Sequence, residues 1–173
     1  MPLPISHGLI DAGIVALVHY RNSIKQDWMK LLLGAFFAIS PDFDFFIVFG
    51  LHLSRGWHRS FTHSIPFACI IAVLLIAVMG LWCTQTSCAY GLAFLSHGLL
   101  DYLTTKQGGG VQLLFPFSMD RLRLGLFGVS EFPIGINLSE LVKTSLIEII
   151  TFAHPLLFFL ILRETILLKL RSK

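Results

Sequence analysis

Apolar residues in this chain come in long runs separated by short polar stretches, not in the alternation that marks half-buried strands. The first run, residues 5–18, is broken only by Ser6, His7 and Asp11. A spanning helix takes about 20 residues, so this run reads as a partly inserted helix that packs on its neighbours. Residues 19–30 form a polar connection carrying Arg21, Lys25 and Lys30, with Trp28 near its end. Residues 31–51 are long enough to span but contain Ser40-Pro41-Asp42. Proline disfavours helical geometry at the residue before it. A helix is therefore expected up to Ile39, then a bend that presents Asp42 and Asp44.

Residues 65–82 carry no charge and hold Pro66 in the first turn, a favourable place for it. They predict the clearest membrane span. Residues 83–88 read as a short turn, and 89–103 as a returning helix with Ser96, His97 and Asp101. Residues 104–137 are loop-like, with a flexible Gly108-Gly109-Gly110 turn. Arg121 and Arg123 sit among leucines there, as in an interfacial segment that touches lipid phosphate. A final span covers 146–168, bent at His154-Pro155 and followed by Lys169, Arg171 and Lys173. The pattern predicts an all-α, polytopic membrane helix bundle with about four to five membrane-associated helices. One integral-membrane domain covers residues 1–173, with an interfacial segment and the last helix after residue 118.

Composition agrees. Hydrophobic residues make up 55 % of the chain and the mean hydropathy is +0.77, which excludes an ordinary soluble domain. A net charge of +3 is too small to suggest nucleic acid as a partner. The basic residues gather near segment ends, as topology signals and contacts to anionic membrane lipid do. Arg21, Lys25 and Lys30 fall on one side with Lys169, Arg171 and Lys173, which places that side in the cytoplasm. Trp28 and Trp82 then mark the cytoplasmic interface and Trp57 the opposite one. The N-terminus lacks a basic region and a small-residue cleavage site, so it is expected to stay in the mature protein. Cys69, Cys83 and Cys88 lack zinc-type spacing and read as small apolar residues.

The chemistry is concentrated in residues 41–64. Asp42, Asp44, His58 and His63 lie there, in a chain otherwise poor in charge. Such groups are costly to desolvate unless paired, neutralised or bound to a metal. Imidazole with carboxylate is a donor set for a divalent ion, zinc first, with manganese or iron as alternatives. An internal repeat adds to this: Ser6-His7-Gly8-Leu9-Ile10-Asp11 against Ser96-His97-Gly98-Leu99-Leu100-Asp101. In each copy His and Asp are four apart and share a helix face.

Chain direction brings these groups to one end. The helix after Ser64 leaves that end, and the next returns Asp101 to it. The helix before residue 31 starts there with His7 and Asp11. Blander readings exist for each piece: a His–Asp bond within one helix, a capping turn at Asp42 and Asp44, exposed loop histidines at His58 and His63. His19 and His52 fall in loops without partners, and His154 is expected to face the bundle.

Taken together, these elements resemble the YdjM-type family of bacterial inner-membrane proteins, described as metal-dependent hydrolases. The matching elements are Ser6-His7-x3-Asp11, Pro41-Asp42-x-Asp44, His58-Arg59-x2-Thr62-His63-Ser64, and His97-x3-Asp101. Thr104-Thr105, Gly108 and Phe115-Pro116 follow in the same order, and no signature is visible after Ser118. The resemblance implies a multi-pass inner-membrane protein with a divalent-metal hydrolytic site.

The expected function is thus a membrane-embedded metal-dependent hydrolase acting on a lipid or lipid-linked ester or phosphoester. Asp42, Asp44, His58, His63, His97 and Asp101 are the expected ligands, completed by His7 and Asp11. Asp44 or Asp11 is the expected general base. A metal-ion or proton transporter is the alternative, since intramembrane His and Asp also mark ion paths. A non-catalytic scaffold with structural His/Asp pairs is the third reading.

Overall fold

The computed structural model describes residues 4–19, 21, 24–106, 109–126 and 138–171. Among these residues six α-helices follow one another: α1 Pro4–Val18, α2 Ile24–Ile39, α3 Asp44–Gly50, α4 Ile65–Met79, α5 Thr84–Thr104 and α6 Leu138–Arg171. Short 3-10 turns at Ser40–Phe43, Arg55–Trp57, Phe61–His63 and Leu81–Cys83 link them. Among the described residues there is no strand, only an isolated antiparallel bridge between Val111 and Leu122. Gly108, Lys173 and residues 127–137 lie outside the described residues.

Helix α1 is central. It packs on α2, α5 and α6, while α5 also packs on α2 and α4. The burial pattern is inverted relative to a soluble protein. Ser6, His7, Asp11, Ser87, His97, Asp101 and Glu148 are buried, whereas Phe46, Val73, Val78, Ile150 and Phe158 are exposed. Polar groups turned inward and an apolar exterior suit a bilayer as solvent.

Among the described residues, two stretches are long and apolar enough to cross a membrane, Gln26–Gly50 and Val142–Leu170. The first contains the expected break: α2 ends at Ile39, Pro41 opens a 3-10 turn, and α3 starts at Asp44.

Several sequence expectations are corrected. Helix α2 begins at Ile24, so part of the supposed polar connection is helical. Helix α4 is 15 residues long, roughly 22 Å by its rise, and stops at Gly80. Gly80 has φ +86°, and the apolar run continues past it as the Leu81–Cys83 3-10 turn instead of α-helix. Helix α5 starts at Thr84 and absorbs the supposed turn at 84–88. Helix α6 begins eight residues earlier than the predicted final span and passes through Pro155 without ending there.

The four parts that carry the motifs meet at one end of the bundle. These are the start of α1, the end of α2 with its 3-10 turn, the turn before α4, and the last two turns of α5.

Candidate metal centre

Local sequence explains how each group is placed. Pro41 closes the helical path of α2 and leaves Asp42 in the first turn of the 3-10 segment. Ser64 caps α4 by accepting the Phe67 N–H at 3.3 Å, which fixes the preceding Phe61–His63 turn. On α5, Gly98 follows His97, and a Cβ there would collide with the carbonyl oxygen of His63. Only glycine lets the His63 backbone lie against α5, and this close approach brings His63 and His97 together, with ring centroids 4.8 Å apart.

Five of the sequence-predicted groups converge. His97 Nε2 lies 3.3 Å from Asp42 Oδ1, and His63 Nε2 lies 3.5 Å from the same oxygen. His63 Nε2 is 3.8 Å from Asp101 Oδ2, and His7 Nε2 is 3.8 Å from Asp101 Oδ1. Two overlapping sets can hold a cation: Asp42, His63 and His97, and His7, His97 and Asp101. Ligand atoms about 2.0–2.1 Å from a tetrahedral ion stand roughly 3.3 Å apart. The spacings at Asp42 match that value.

The imidazole tautomers are fixed from outside the cluster. His97 Nδ1 donates to the Ala38 carbonyl oxygen at 2.6 Å, which can only accept. Thr62 Oγ1 donates to Asp44 Oδ2 at 2.9 Å, so it accepts from His63 Nδ1, also at 2.9 Å. In both rings Nε2 is left with a lone pair facing the carboxylates. His63 Nε2, His97 Nε2, Asp42 Oδ1 and both Asp101 oxygens are buried and have no hydrogen-bond partner among the described residues. Lone pairs set against carboxylate oxygens repel one another unless positive charge lies between them. The donor set therefore fits a divalent cation.

The remaining predicted site residues stand beside this cluster. Asp44 is saturated: Oδ1 accepts from His58 Nδ1 at 2.7 Å, and Oδ2 accepts from Thr62 Oγ1 and, at 3.1 Å, from the Arg59 backbone N–H. Asp11 accepts from Ser96 Oγ at 2.5 Å. His19 is not without a partner, since its Nε2 lies 3.3 Å from Thr86 Oγ1. His52 is exposed. His154 is exposed on α6 instead of facing the bundle, and its Nδ1 donates to the Ile150 carbonyl oxygen within its own helix.

Three contributors were missed. Arg59, named in the sequence only as part of the His58–Ser64 motif, is buried, with Nε 3.3 Å from Asp101 Oδ2. Gln112, in the supposed loop, accepts from Ser60 Oγ at 2.5 Å and gives its backbone N–H to the Arg59 carbonyl oxygen at 3.1 Å. Glu148 on α6 accepts from Ser6 Oγ at 2.5 Å, beside His7.

Arg121, expected at lipid phosphate, instead donates to the carbonyl oxygens of Gly56, His58 and Gly110. Burial and the neighbouring Arg59 press the Arg121 guanidinium below the ordinary arginine value. Arg123 likewise donates to the Lys106 carbonyl oxygen at 2.9 Å. The sequence offered a signal only for Arg59, which lies inside the His58–Ser64 motif.

Comparison with known proteins adds a relative. The inner membrane protein YbcI of Escherichia coli (strain K12) is 35 % identical over 97 residues, covering 53 % of this chain and 56 % of that protein. The match thus spans about half the length of the curated relative. No solved structure matches the chain. A family match extends over residues 1–170, well past Ser118 where the visible motifs stop, and by it the chain belongs to the YdjM inner membrane protein family.

Proposed function

We propose that this chain is a multi-pass, membrane-embedded, metal-dependent hydrolase acting on a lipid or lipid-linked ester or phosphoester. One observation carries the reading: the Nε2 atoms of His63 and His97 and the oxygens of Asp42 and Asp101 converge at ligand spacing without donors of their own. Protons satisfy such atoms only in pairs, whereas a divalent cation satisfies a whole set, either Asp42, His63 and His97 or His7, His97 and Asp101. Asp42, His63 and His97 would hold the ion, and His7, His97 and Asp101 form the second, overlapping set. The mixed imidazole and carboxylate set suits zinc first, then manganese or iron. Such an ion supplies Lewis acidity at the scissile group and lowers the pKa of water.

The chain supplies the proton handling. His58 gives its Nδ1–H to Asp44, which leaves Nε2 as an acceptor on a side chain 24 % exposed. His58 is thereby placed to take a proton from attacking water, and Asp44 orients the ring and favours the imidazolium that forms.

A cavity of about 330 Å³ lies beside this motif, lined by Trp57, Phe61, Phe67, Ile70 and Phe115. Its apolar wall suits an acyl or isoprenoid chain and supports a lipid-like substrate. The apolar exteriors of α1, α2, α4, α5 and α6 support about four to five membrane-associated helices. The cluster's place at one end of the bundle favours a hydrolase over a transporter, which binds its cargo near the midplane.

Elemental analysis of detergent-purified protein tests the proposal. Stoichiometric zinc, manganese or iron is expected. Chelation should abolish hydrolysis of a chromogenic p-nitrophenyl ester or phosphoester, and added metal should restore it. Folded protein that takes up no metal on reconstitution rejects the reading.

A further inference from the structure

We infer that Arg59 is the anion-receiving group of this centre, and that the substrate presents a phosphoryl group to it, not a neutral carboxylic ester. The inference rests on the hydrolase reading above and names its substrate class.

The Arg59 side chain is only 9 % exposed, yet it makes no hydrogen bond to any described residue. Its ion-pair contact among the described residues is with Asp101 Oδ2, 3.3 Å from Nε, without a hydrogen bond. That contact involves Nε alone. The four N–H groups of the two terminal nitrogens have no acceptor among the described residues. Nε is the one guanidinium nitrogen that is both buried and without a hydrogen-bond partner, and an oxyanion offering two acceptors is the partner the planar fork fits best.

The backbone holds this placement against its own preference. Arg59 has φ +60°, the left-handed region that bulky side chains rarely adopt. Its N–H is held by Asp44 Oδ2 and its carbonyl oxygen by the Gln112 N–H, each at 3.1 Å. A conformation kept at such cost, beside a ligand cluster, points to a use for the side chain.

Two further features point the same way. Asp101 connects Arg59 directly to the proposed metal ligands, so an anion on the guanidinium also reaches the cluster. A cavity of about 290 Å³ lined by Thr105, Lys106 and Arg123 opens just past Asp101 at the end of α5. Cationic side chains there raise the local concentration of an incoming anion. In the hydrolysis itself, a water oxygen bonds to phosphorus and the P–O bond to the alcohol breaks. One water proton passes to the departing alkoxide, and the other stays with the phosphate released.

The test uses full-length, metal-loaded protein in detergent, with inorganic phosphate titrated by calorimetry and metal content measured on the same samples. Wild type should bind phosphate. Arg59→Gln should weaken that binding by about tenfold or more while keeping its metal. Unchanged phosphate affinity in Arg59→Gln overturns the proposal. If Arg59→Gln also loses metal, Arg59→Lys decides, because it keeps a charge beside Asp101 without the planar fork. Retained metal with weakened phosphate supports the inference, and wild-type affinity for both overturns it.

Competition separates the sources of phosphate. Displacement by phosphatidate in mixed micelles indicates a lipid headgroup, and displacement by glycerol 3-phosphate alone indicates a soluble phosphoester. Arg59-dependent phosphate binding in a protein that holds no metal sinks the hydrolase reading and leaves the anion site. A metal-loaded protein that binds no phosphate does the reverse.

Discussion

The imidazole rings of His7 and His97 lie face to face, with centroids 3.8 Å apart and planes 18° from parallel. The two copies of the repeat meet ring on ring, but their aspartates part company. Asp101 turns into the cluster, 3.8 Å from His7 Nε2, while Asp11 accepts a hydrogen bond from Ser96. The repeat thus builds one site from unequal halves.

Substitutions should reproduce that inequality. His97→Ala and Asp101→Asn are expected to lower metal affinity by about tenfold or more, and His7→Ala to act in the same direction. Asp11→Asn should keep its metal, because an amide oxygen still accepts from Ser96. His19→Ala and His52→Ala should leave metal content unchanged. Elemental analysis of the purified variants checks all six, and metal loss in Asp11→Asn equal to that in Asp101→Asn would count against the unequal-halves account.

The bond from His58 to Asp44 predicts a separation of binding from rate. His58→Ala should retain metal, since the ring stands beside the cluster, and should lose about 10²–10⁴-fold in kcat. Asp44→Asn should slow turnover as well, by presenting an amide to the ring in place of the carboxylate. Metal content and single-turnover rates on the same preparations measure both. A His58→Ala protein that is metal-free would return His58 to the ligand set.

Acid should weaken the site in a defined window. Burial is the main cause holding His63 below its ordinary value of 6.5, partly opposed by Asp42. As pH falls through 6.5 the unfolded chain takes up a proton that folded His63 still refuses. The stability contributed by the neutral ring is therefore full above 6.5 and is lost progressively as pH falls toward the lower folded value. Metal binding follows the same sense, because only the neutral ring ligates. Thermal unfolding and metal occupancy measured on both sides of 6.5 should fall together on the acid side, and His63→Asn should flatten the slope.

How far the site could be read from sequence follows from what sequence encodes. A spacing of four puts His7 with Asp11 and His97 with Asp101 on single faces, and Pro41 forces a break whatever surrounds it. Local rules cover both. Arg59 was not legible in the same way. Its burial depends on Gln112, 53 residues further on, and on the Arg121 bonds that hold Gly56 and His58. Glu148 was hidden because its partner Ser6 is 142 residues away. The length of α4 failed for another reason: hydropathy reports an apolar setting, and Leu81 and Trp82 stay apolar after Gly80 has ended the helix.

Gly98 should be the least replaceable glycine near the site. Gly98→Ala sets a Cβ against the His63 carbonyl oxygen, backbone that has no room to move aside. The expected cost is about 1–3 kcal/mol of stability, with metal affinity lowered because His63 and His97 are pushed apart. Gly50→Ala is the control, since nothing lies within 4 Å of a Cβ there. Chemical denaturation in detergent, read beside metal content, should separate the two. Equal stability of both variants would contradict the close approach of α5 to the turn before α4.

Topology follows from how α6 lies along α1. Ser6 meets Glu148 near the site, whereas Arg163 lies with Ala16, His19 and Asp27 around a shared cleft further along. The two helices therefore run in the same direction, and α6 carries Lys169 to the end away from the site. Arg21 and Lys30 lie at that end too. Positive charge there favours the cytoplasm. At the opposite end Arg59, Arg121 and Arg123 are engaged by Asp101 and by backbone carbonyls, which weakens their weight as topology signals. The site is thus expected to open to the periplasm. In a background with Cys69, Cys83 and Cys88 replaced, a single cysteine at exposed His52 should react with an impermeant maleimide in cells whose outer membrane has been permeabilised. A cysteine at position 171 should react only after the inner membrane is broken. Labelling at 171 but not at 52 in unbroken cells would invert the assignment and put the proposed metal site in the cytoplasm.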